Sequence, residues 1–419
     1  MADAAATRLL LTFFVLASLL LGWLGSSGED LAPAWLGCRL INAGQAEALY
    51  SHDRDDFAQL HDARWQAVAQ DSGYAREFIH PYVQTPLFAA LFTPICDHAD
   101  FATLNLAMIA INAIMLFACL TLIARAWAPR LADRRWLMAL MLLTLLAAPY
   151  PYHVLLGQTH ALTLFLTLRG LMLSLDGRAR AGGLLLALAT TLKLTPVLAL
   201  VWLLLSGRRA AALWGLAGVA GLALLTWLSL GASVLADYLG NLERIAGSLI
   251  LAINNQSFAA WLSQLLWPVT QIHDFTVRPM PPALTLASML LMLLSLCYFS
   301  AMTRRRADAA AIAAMAMMVT MTLFAPIAWT HYFIVLPPAL MILLQHGLAQ
   351  RRRGVLLAAA GIAGLLLLPL DKPWLSETSP WQLMLSRNDF SAGALTLATL
   401  ALLARRPAPS QRGPSREDA

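Results

Sequence analysis

The sequence predicts an all-α polytopic membrane protein, and two observations support this fold class. Of the 419 residues, 59% are hydrophobic and only 12% are charged, and the apolar residues form repeated runs long enough to cross a hydrocarbon layer of about 30 Å. The basic residues, which give a net charge of +6, form short clusters between these runs, as in the cytoplasmic loops of membrane proteins. That distribution predicts a membrane-embedded chain and no nucleic-acid partner.

The apolar runs are predicted to be membrane helices. The first run, Leu9 to Leu24, is longer than the apolar core of a typical signal peptide, so we interpret it as an uncleaved first helix. Residues 1–404 form the predicted membrane domain, and the Pro-, Ser- and Arg-rich residues 405–419 are predicted to be a disordered cytoplasmic tail. The runs lie near residues 8–25, 101–124, 136–150, 158–175, 184–206, 211–231, 283–302, 308–325, 331–347, 354–370 and 391–404.

The arginines constrain the topology. Arg178 precedes and Arg208 follows the run 184–206, so a single crossing there would place them on opposite faces, against the positive-inside bias. A helix pair broken at Leu192–Pro196 instead places every arginine cluster in the cytoplasm. We therefore predict about ten full transmembrane helices plus a broken re-entrant pair, with both termini cytoplasmic. Residues 26–100 become the main external loop, whose aromatic spacing suggests surface helices.

Lys193 is the most informative single residue of the sequence. It is one of two lysines in the chain and has apolar residues on both sides. Inserting an ammonium group there costs about 2.5–3.5 kcal/mol, so the side chain is expected to face a polar cavity that holds an anion or a partner. The alternative is a cation that reaches an interface, or one that rests on backbone carbonyls freed by Pro196.

Four other polar residues interrupt the apolar pattern at the same predicted external level: Gln158, His160, Asn255 and His331. Together with Lys193 they supply the cationic and amide groups that bind a phosphate, and Asp30, just past the first helix, can take a proton from an attacking hydroxyl. Each has an ordinary alternative: a helix cap, a loop turn, an interfacial histidine or one of many loop acids. Their joint placement favours a site.

The sequence also narrows the class of donor. It has no phosphate-binding glycine loop and no Asp-x-Asp pair just after the first helix to hold a metal for a nucleotide sugar. The Asp-x-Asp within Asp53–Asp56 is better interpreted as a solvated acidic loop. A lipid-linked donor, whose tail stays in the bilayer, fits the predicted geometry better. The four cysteines show no metal spacing or disulfide framework; a Cys38–Cys96 bridge is possible, but the sequence does not require it.

Several short motifs, in order, make the sequence similar to glycosyltransferase family 87, the polyprenyl-phosphate-sugar-dependent enzymes of the GT-C class, which includes mannosyltransferases. The resemblance covers most of residues 8–350, with His160 standing where the family has an asparagine and Tyr332 where it has a second histidine. The motifs lie at Asp30–Leu31 with Ala43–Tyr50, Tyr82–Phe88, Gly157–His160, Leu192–Pro196, Asn255–Ser257 and Pro326–Tyr332.

The resemblance implies a GT-C glycosyltransferase fold, inversion at the anomeric carbon and a catalytic acid in the first external loop, which corresponds to Asp30. Lys193 and His331 are then predicted to bind the donor phosphate, and Gln158, His160 and Asn255 to orient the donor by hydrogen bonds. No cofactor is predicted and no metal is needed, since two cationic groups can offset a single phosphate.

The predicted function is transfer of one sugar, mannose or a similar one, from a polyprenyl-phosphate carrier to an envelope lipid or glycan. The reaction is predicted at the external face of the bacterial inner membrane. Three alternatives remain open: a flippase for lipid-linked sugars, an oligosaccharide ligase of the cell envelope, and a non-catalytic scaffold. A flippase should expose polar sites on both faces, and a scaffold needs no lone lysine in an apolar helix pair.

Overall fold

The computed structural model describes residues 2–51, 60–74, 79–264, 275–349, 353–369 and 387–405. This part of the chain is mostly helical, which confirms the all-α prediction. The predicted tail falls outside it, except for Arg405. The helices are α1 Ala2–Gly25, α2 Ala32–Asn42, α3 Ala63–Asp71, α4 Pro86–Ala90, α5 Phe101–Ala126, α6 Arg134–Leu146, α7 Pro149–Leu155, α8 His160–Leu175, α9 Ala179–Leu192, α10 Val197–Leu205, α11 Arg209–Leu230, α12 Ala232–Ala246, α13 Phe258–Ser263, α14 Pro282–Arg305, α15 Ala310–Leu323, α16 Leu336–Ala349, α17 Arg353–Leu366 and α18 Asn388–Arg405.

Short elements connect these helices. The strands β1 Ser248–Leu249 and β2 Arg278–Pro279 pair antiparallel. Several helices begin at a polar side chain that accepts a hydrogen bond from a free backbone N–H of the first turn, among them Asp100 before α5 and Asp133 before α6. The 3-10 helices are Ala46–Tyr50, Pro129–Leu131, Ala307–Ala309 and Thr330–Val335.

Helix length limits how many helices can be counted as full membrane crossings. Within the described ranges, five helices are long and apolar enough to cross a membrane, or six if α6 and α7, bent by 59° at their junction, count as one span. Helices such as α8, with 16 residues, and α9 and α15, with 14 each, reach only about 21–24 Å at 1.5 Å per residue. Ten full crossings are therefore not confirmed.

The predicted interruption at Leu192–Pro196 is present, because α9 ends at Leu192 and α10 begins at Val197. Helices α9 and α11 run parallel and pack closely against each other. A side chain at Gly183 would meet the backbone of Ala211 and Gly215, and four residues later in α9 Ala187 faces Gly218. Since α11 follows α10, the chain must turn back between α9 and α11, as a broken pair does.

This turn has a consequence for labelling. In a chain with Cys297 replaced by serine, Asp176→Cys and Arg209→Cys should both stay unlabelled when intact cells are treated with a membrane-impermeant maleimide, and both should label after permeabilisation. Asp176 and Arg209 are exposed in the two turns that flank the broken pair. Asp237→Cys, exposed on α12, is the control expected to label in intact cells. Labelling of only one turn residue would contradict this topology.

The segment between α1 and α5 forms its own hydrophobic core. Trp35, Trp65 and Tyr82 are almost fully buried there, and the Trp65 Nε1–H donates to the carbonyl of Ala48 at 2.8 Å. The aromatic residues of the segment therefore pack against one another and against α9 and α12. This compact unit, here called the loop domain, covers one end of the helix bundle.

A disulfide bond joins Cys38 of α2 to Cys96 just before α5. It closes a loop with a sequence separation of 58 residues and ties the first helix of the loop domain to its end. Disulfides persist in oxidising compartments and are rare in reducing ones. The sequence alone did not decide whether this disulfide forms.

Candidate functional site

A cavity of about 680 Å³ lies where the loop domain meets the membrane helices. Its polar wall comes from distant parts of the chain, and its remaining wall is largely apolar. The polar wall includes the side chains of Glu29, Asp30, His80, Gln158, Lys193 and His331.

Backbone contacts fix the position of Asp30. The Asp30 N–H donates to the carbonyl of Leu156 at 2.9 Å, and the Gly28 N–H donates to the carbonyl of Leu155 at 3.0 Å. Gly28 and Gly157 both have positive φ and lie so close together that a side chain at Gly157 would meet the Cα of Gly28. Two glycines thus allow the segment after α1 to pack on the end of α7 and hold Asp30 at the cavity.

Asp30 and Lys193 are linked through one amide. An Asp30 carboxylate oxygen, Oδ2, accepts a hydrogen bond from the Gln158 Nε2, and the Gln158 Oε1 accepts one from the Lys193 Nζ at 3.3 Å. The chain places a carboxylate and an ammonium group on the two ends of a single carboxamide. Three of the six predicted site residues therefore form one hydrogen-bonded series.

Lys193 lies in the break between α9 and α10, where its backbone is extended. Its Nζ lies 3.9 Å from the centre of the Tyr332 ring, which is a favourable cation–π distance. In the described part of the chain, Lys193 makes no ion pair with a carboxylate. Its charge is held by an amide and an aromatic ring, so it stays available to an anion in the cavity.

His331 is buried, with 1% of its surface exposed, and lines the cavity. Its ring stacks on Tyr152 at 6.3 Å between centres and meets Tyr332 edge-on at 4.8 Å. Among the residues that the structure describes, neither ring nitrogen has a hydrogen-bond partner. Because buried polar groups in proteins are nearly always paired, these nitrogens are well suited to a polar ligand.

His80 is a cavity residue that the sequence reasoning missed. Its Nδ1 lies 2.8 Å from the Asp30 Oδ1, and its Nε2 lies 3.8 Å from the Glu29 Oε2. Burial, the largest single influence, lowers the pKa of His80, but the hydrogen bond to Asp30 and the charges of Asp30 and Glu29 outweigh it. The pKa of His80 therefore lies above its usual value of 6.5.

A family model for glycosyltransferase family 87 matches residues 82–326, which is more than half of the chain. The chain belongs to glycosyltransferase family 87. No curated protein matches it.

The family identifies the protein as a membrane glycosyltransferase. The matched residues include Gln158 and Lys193. Asp30 and His80 precede the matched range, and His331 follows it, so the glycosyltransferase cavity is completed by residues on both sides of that range.

Two of the residues predicted to orient the donor of the glycosyltransferase do not line this cavity. His160 stacks face to face on Tyr332, at 4.8 Å and an angle of 4°, and lines a small adjoining cavity of about 30 Å³. It therefore lies behind the tyrosine that contacts Lys193. In this structure His160 supports Tyr332 and does not face the larger cavity.

Asn255 is fully buried, and backbone groups satisfy its amide. Its Nδ2 donates to the carbonyl of Ile250 at 2.8 Å, and its Oδ1 accepts from the N–H groups of Ser257 and Ala328. Asn255 therefore does not line the larger cavity, and its role in orienting the donor stays a prediction. The neighbouring Asn254 lines the cavity instead and donates to the Tyr152 hydroxyl at 3.1 Å.

The motif around residue 255 contained the signal for Asn254, but the sequence could not tell which of two adjacent asparagines faces a ligand. His80 had only a weak signal, its position two residues before the Tyr82 motif.

As for metal ions, the described residues contain no group of three side chains with the geometry to hold one.

Proposed function

We propose that this family 87 glycosyltransferase moves a single sugar from a polyprenyl monophosphate to an acceptor hydroxyl at the external face of the bacterial inner membrane. The sugar is mannose or another hexose or pentose, and the acceptor is an envelope lipid or glycan. The observation that supports the proposal is the hydrogen-bonded series Asp30–Gln158–Lys193, in which one carboxamide links a carboxylate to an ammonium group at one cavity.

The cationic side of the cavity supports binding of a phosphate. Lys193 is free of a carboxylate partner among the described residues, and His331 offers two unpaired ring nitrogens. As the bond between the sugar and the phosphate breaks, its electron pair goes to the phosphate oxygen. Groups already placed to bind that growing charge lower the barrier, because they need no rearrangement.

The acidic side supports general-base catalysis. The acceptor oxygen forms a bond to the anomeric carbon while its proton passes to the Asp30 carboxylate. Attack from the face opposite the phosphate inverts the anomeric configuration. His80 and Gln158 each bind one oxygen of Asp30, so the carboxylate is held in one orientation while its remaining lone pairs face the acceptor.

A lipid carrier is favoured by the apolar part of the wall. Val197 and Leu198 of α10, Met292 of α14 and Phe324 after α15 all line the cavity. They lie on or next to apolar helices and line the same cavity as Lys193, so an apolar chain can stay in the bilayer while its phosphate reaches the cation. The Cys38–Cys96 disulfide supports an external site.

The test is direct transfer. Purified protein is incubated with a panel of radiolabelled polyprenyl-phosphate sugars and extracted envelope lipids and glycans, with Asp30→Asn protein as the matched control. Wild-type protein should move label from one donor to an acceptor, and the variant should not. Movement of the intact donor across the membrane of vesicles that contain the protein, without transfer of its sugar, would favour a flippase. Sugar transfer from diphosphate donors alone would favour a ligase.

A further inference from the structure

His80 lies between two carboxylates and uses a different ring nitrogen for each. The 2.8 Å contact between its Nδ1 and the Asp30 Oδ1 needs a hydrogen between the two atoms, because a carboxylate oxygen and a bare ring nitrogen are both acceptors. His80 therefore donates from Nδ1. Its Nε2, 3.8 Å from the Glu29 Oε2, is the nitrogen that gains or loses a proton.

We propose that His80 is the positioning residue of Asp30: its Nδ1–H fixes the carboxylate orientation, and protonation at its Nε2 weakens Asp30 as a base. This role rests on the proposed function, since it acts through the catalytic carboxylate. Glu29 serves as the outer partner that stabilises the protonated ring.

The groups around His80 determine the direction of the pH effect. Glu29 and Asp30 face it from the segment after α1. Tyr152 of α7 lines the same cavity, and Lys193 lies beyond Gln158. Two nearby carboxylates favour the imidazolium, consistent with the raised pKa of His80. As pH rises through that pKa the positive charge beside Asp30 disappears, so the carboxylate becomes a stronger base and the transfer rate should rise.

Two substitutions separate positioning from titration. His80→Asn keeps an N–H donor near the place of Nδ1 but cannot titrate, so it should keep most of the turnover at high pH and lose the pH-dependent rise. His80→Leu removes the donor, so it should lower kcat about ten- to a hundredfold with the donor KM unchanged. His98→Asn, at an exposed histidine of the same loop domain, should match wild type throughout.

A second measurement does not depend on transfer. In the full-length protein in lipid nanodiscs, with histidines labelled with ¹⁵N, the His80 ring signals are assigned by their loss in His80→Asn. In Asp30→Asn, His80 should titrate at a lower pH than in wild type, because one neighbouring negative charge is gone. Glu29→Gln should shift the titration in the same direction.

The outcomes distinguish the two proposals. If His80 titrates at the same pH in wild type and Asp30→Asn, or if His80→Asn keeps the wild-type pH profile, the role of His80 is overturned even in an active glycosyltransferase. If the coupling to Asp30 is present but wild-type protein transfers no sugar from the donor panel, the proposed function is overturned, and the catalytic role of His80 with it.

Discussion

Asp30→Asn should leave the protein folded and able to bind its donor while reducing transfer by about 10²–10⁴-fold, the usual contribution of general-base catalysis. The amide has nearly the same shape as the carboxylate but has neither its charge nor its basicity. It can still accept one hydrogen bond, from His80 or Gln158, so the cavity should keep its form. The measurement is kcat and donor KM by radiolabel transfer, together with donor-dependent thermal stabilisation.

Two matched acids serve as comparisons. Asp237→Asn, on the exposed face of α12, should have near-normal turnover. Glu29→Gln should be far less damaging than Asp30→Asn, because Glu29 contacts His80 only at 3.8 Å. Normal turnover in Asp30→Asn with a dead Glu29→Gln would show that the base is assigned to the wrong acid. If neither acid affects transfer, nor Asp53, Asp55 or Asp56, which lie outside the described residues, a carrier or flippase becomes the better proposal.

Lys193→Ala and His331→Ala should each weaken donor use about ten- to a hundredfold, because a charged hydrogen bond in a water-poor site contributes about 1.5–3 kcal/mol. The loss should appear mainly in kcat/KM at subsaturating donor. Leu188→Ala, on α9 near Lys193 but with a side chain 40% exposed on the helix surface, is the control and should match wild type.

Expression and melting temperature must be measured for these variants first, since Lys193 also packs on Tyr332. Lys193→Arg keeps the charge and most of the length, so it should recover part of the lost activity if the role is phosphate binding. Wild-type rates in both alanine variants at low donor concentration would exclude these two residues from phosphate binding.

Some features were predictable because they depend on local composition or on charge. The cost of a lysine in an apolar run and the bias of arginines toward one face are properties of the chain itself. Together they predicted the break at Leu192–Pro196, and the structure has it between α9 and α10. Asp30 was predicted from its place just past the first helix and from the family resemblance, and the structure has it beside the cavity.

Other features needed long-range contacts. The length of each apolar run predicted about ten crossings, which the helix lengths do not confirm, because several runs hold helices shorter than a full crossing, such as α8 from His160 to Leu175. Whether Asn254 or Asn255 faces the cavity depends on which of the two side-chain amides bonds to the backbone of Ala328, a residue far along the chain. The Ala328 N–H donates to the Asn255 Oδ1. No periodicity in the sequence carries that information.

The sequence by itself determined the class of protein and the broken helix pair, and it named the candidate residues for binding a phosphate, because hydrophobicity and charge act on each segment separately. The tertiary structure alone decided which of these residues share a cavity. Asp30 meets His80 across 50 residues, Gln158 across 128, and Cys38 meets Cys96 across 58. Such contacts arise when helices pack and loops close, so they depend on the fold as a whole.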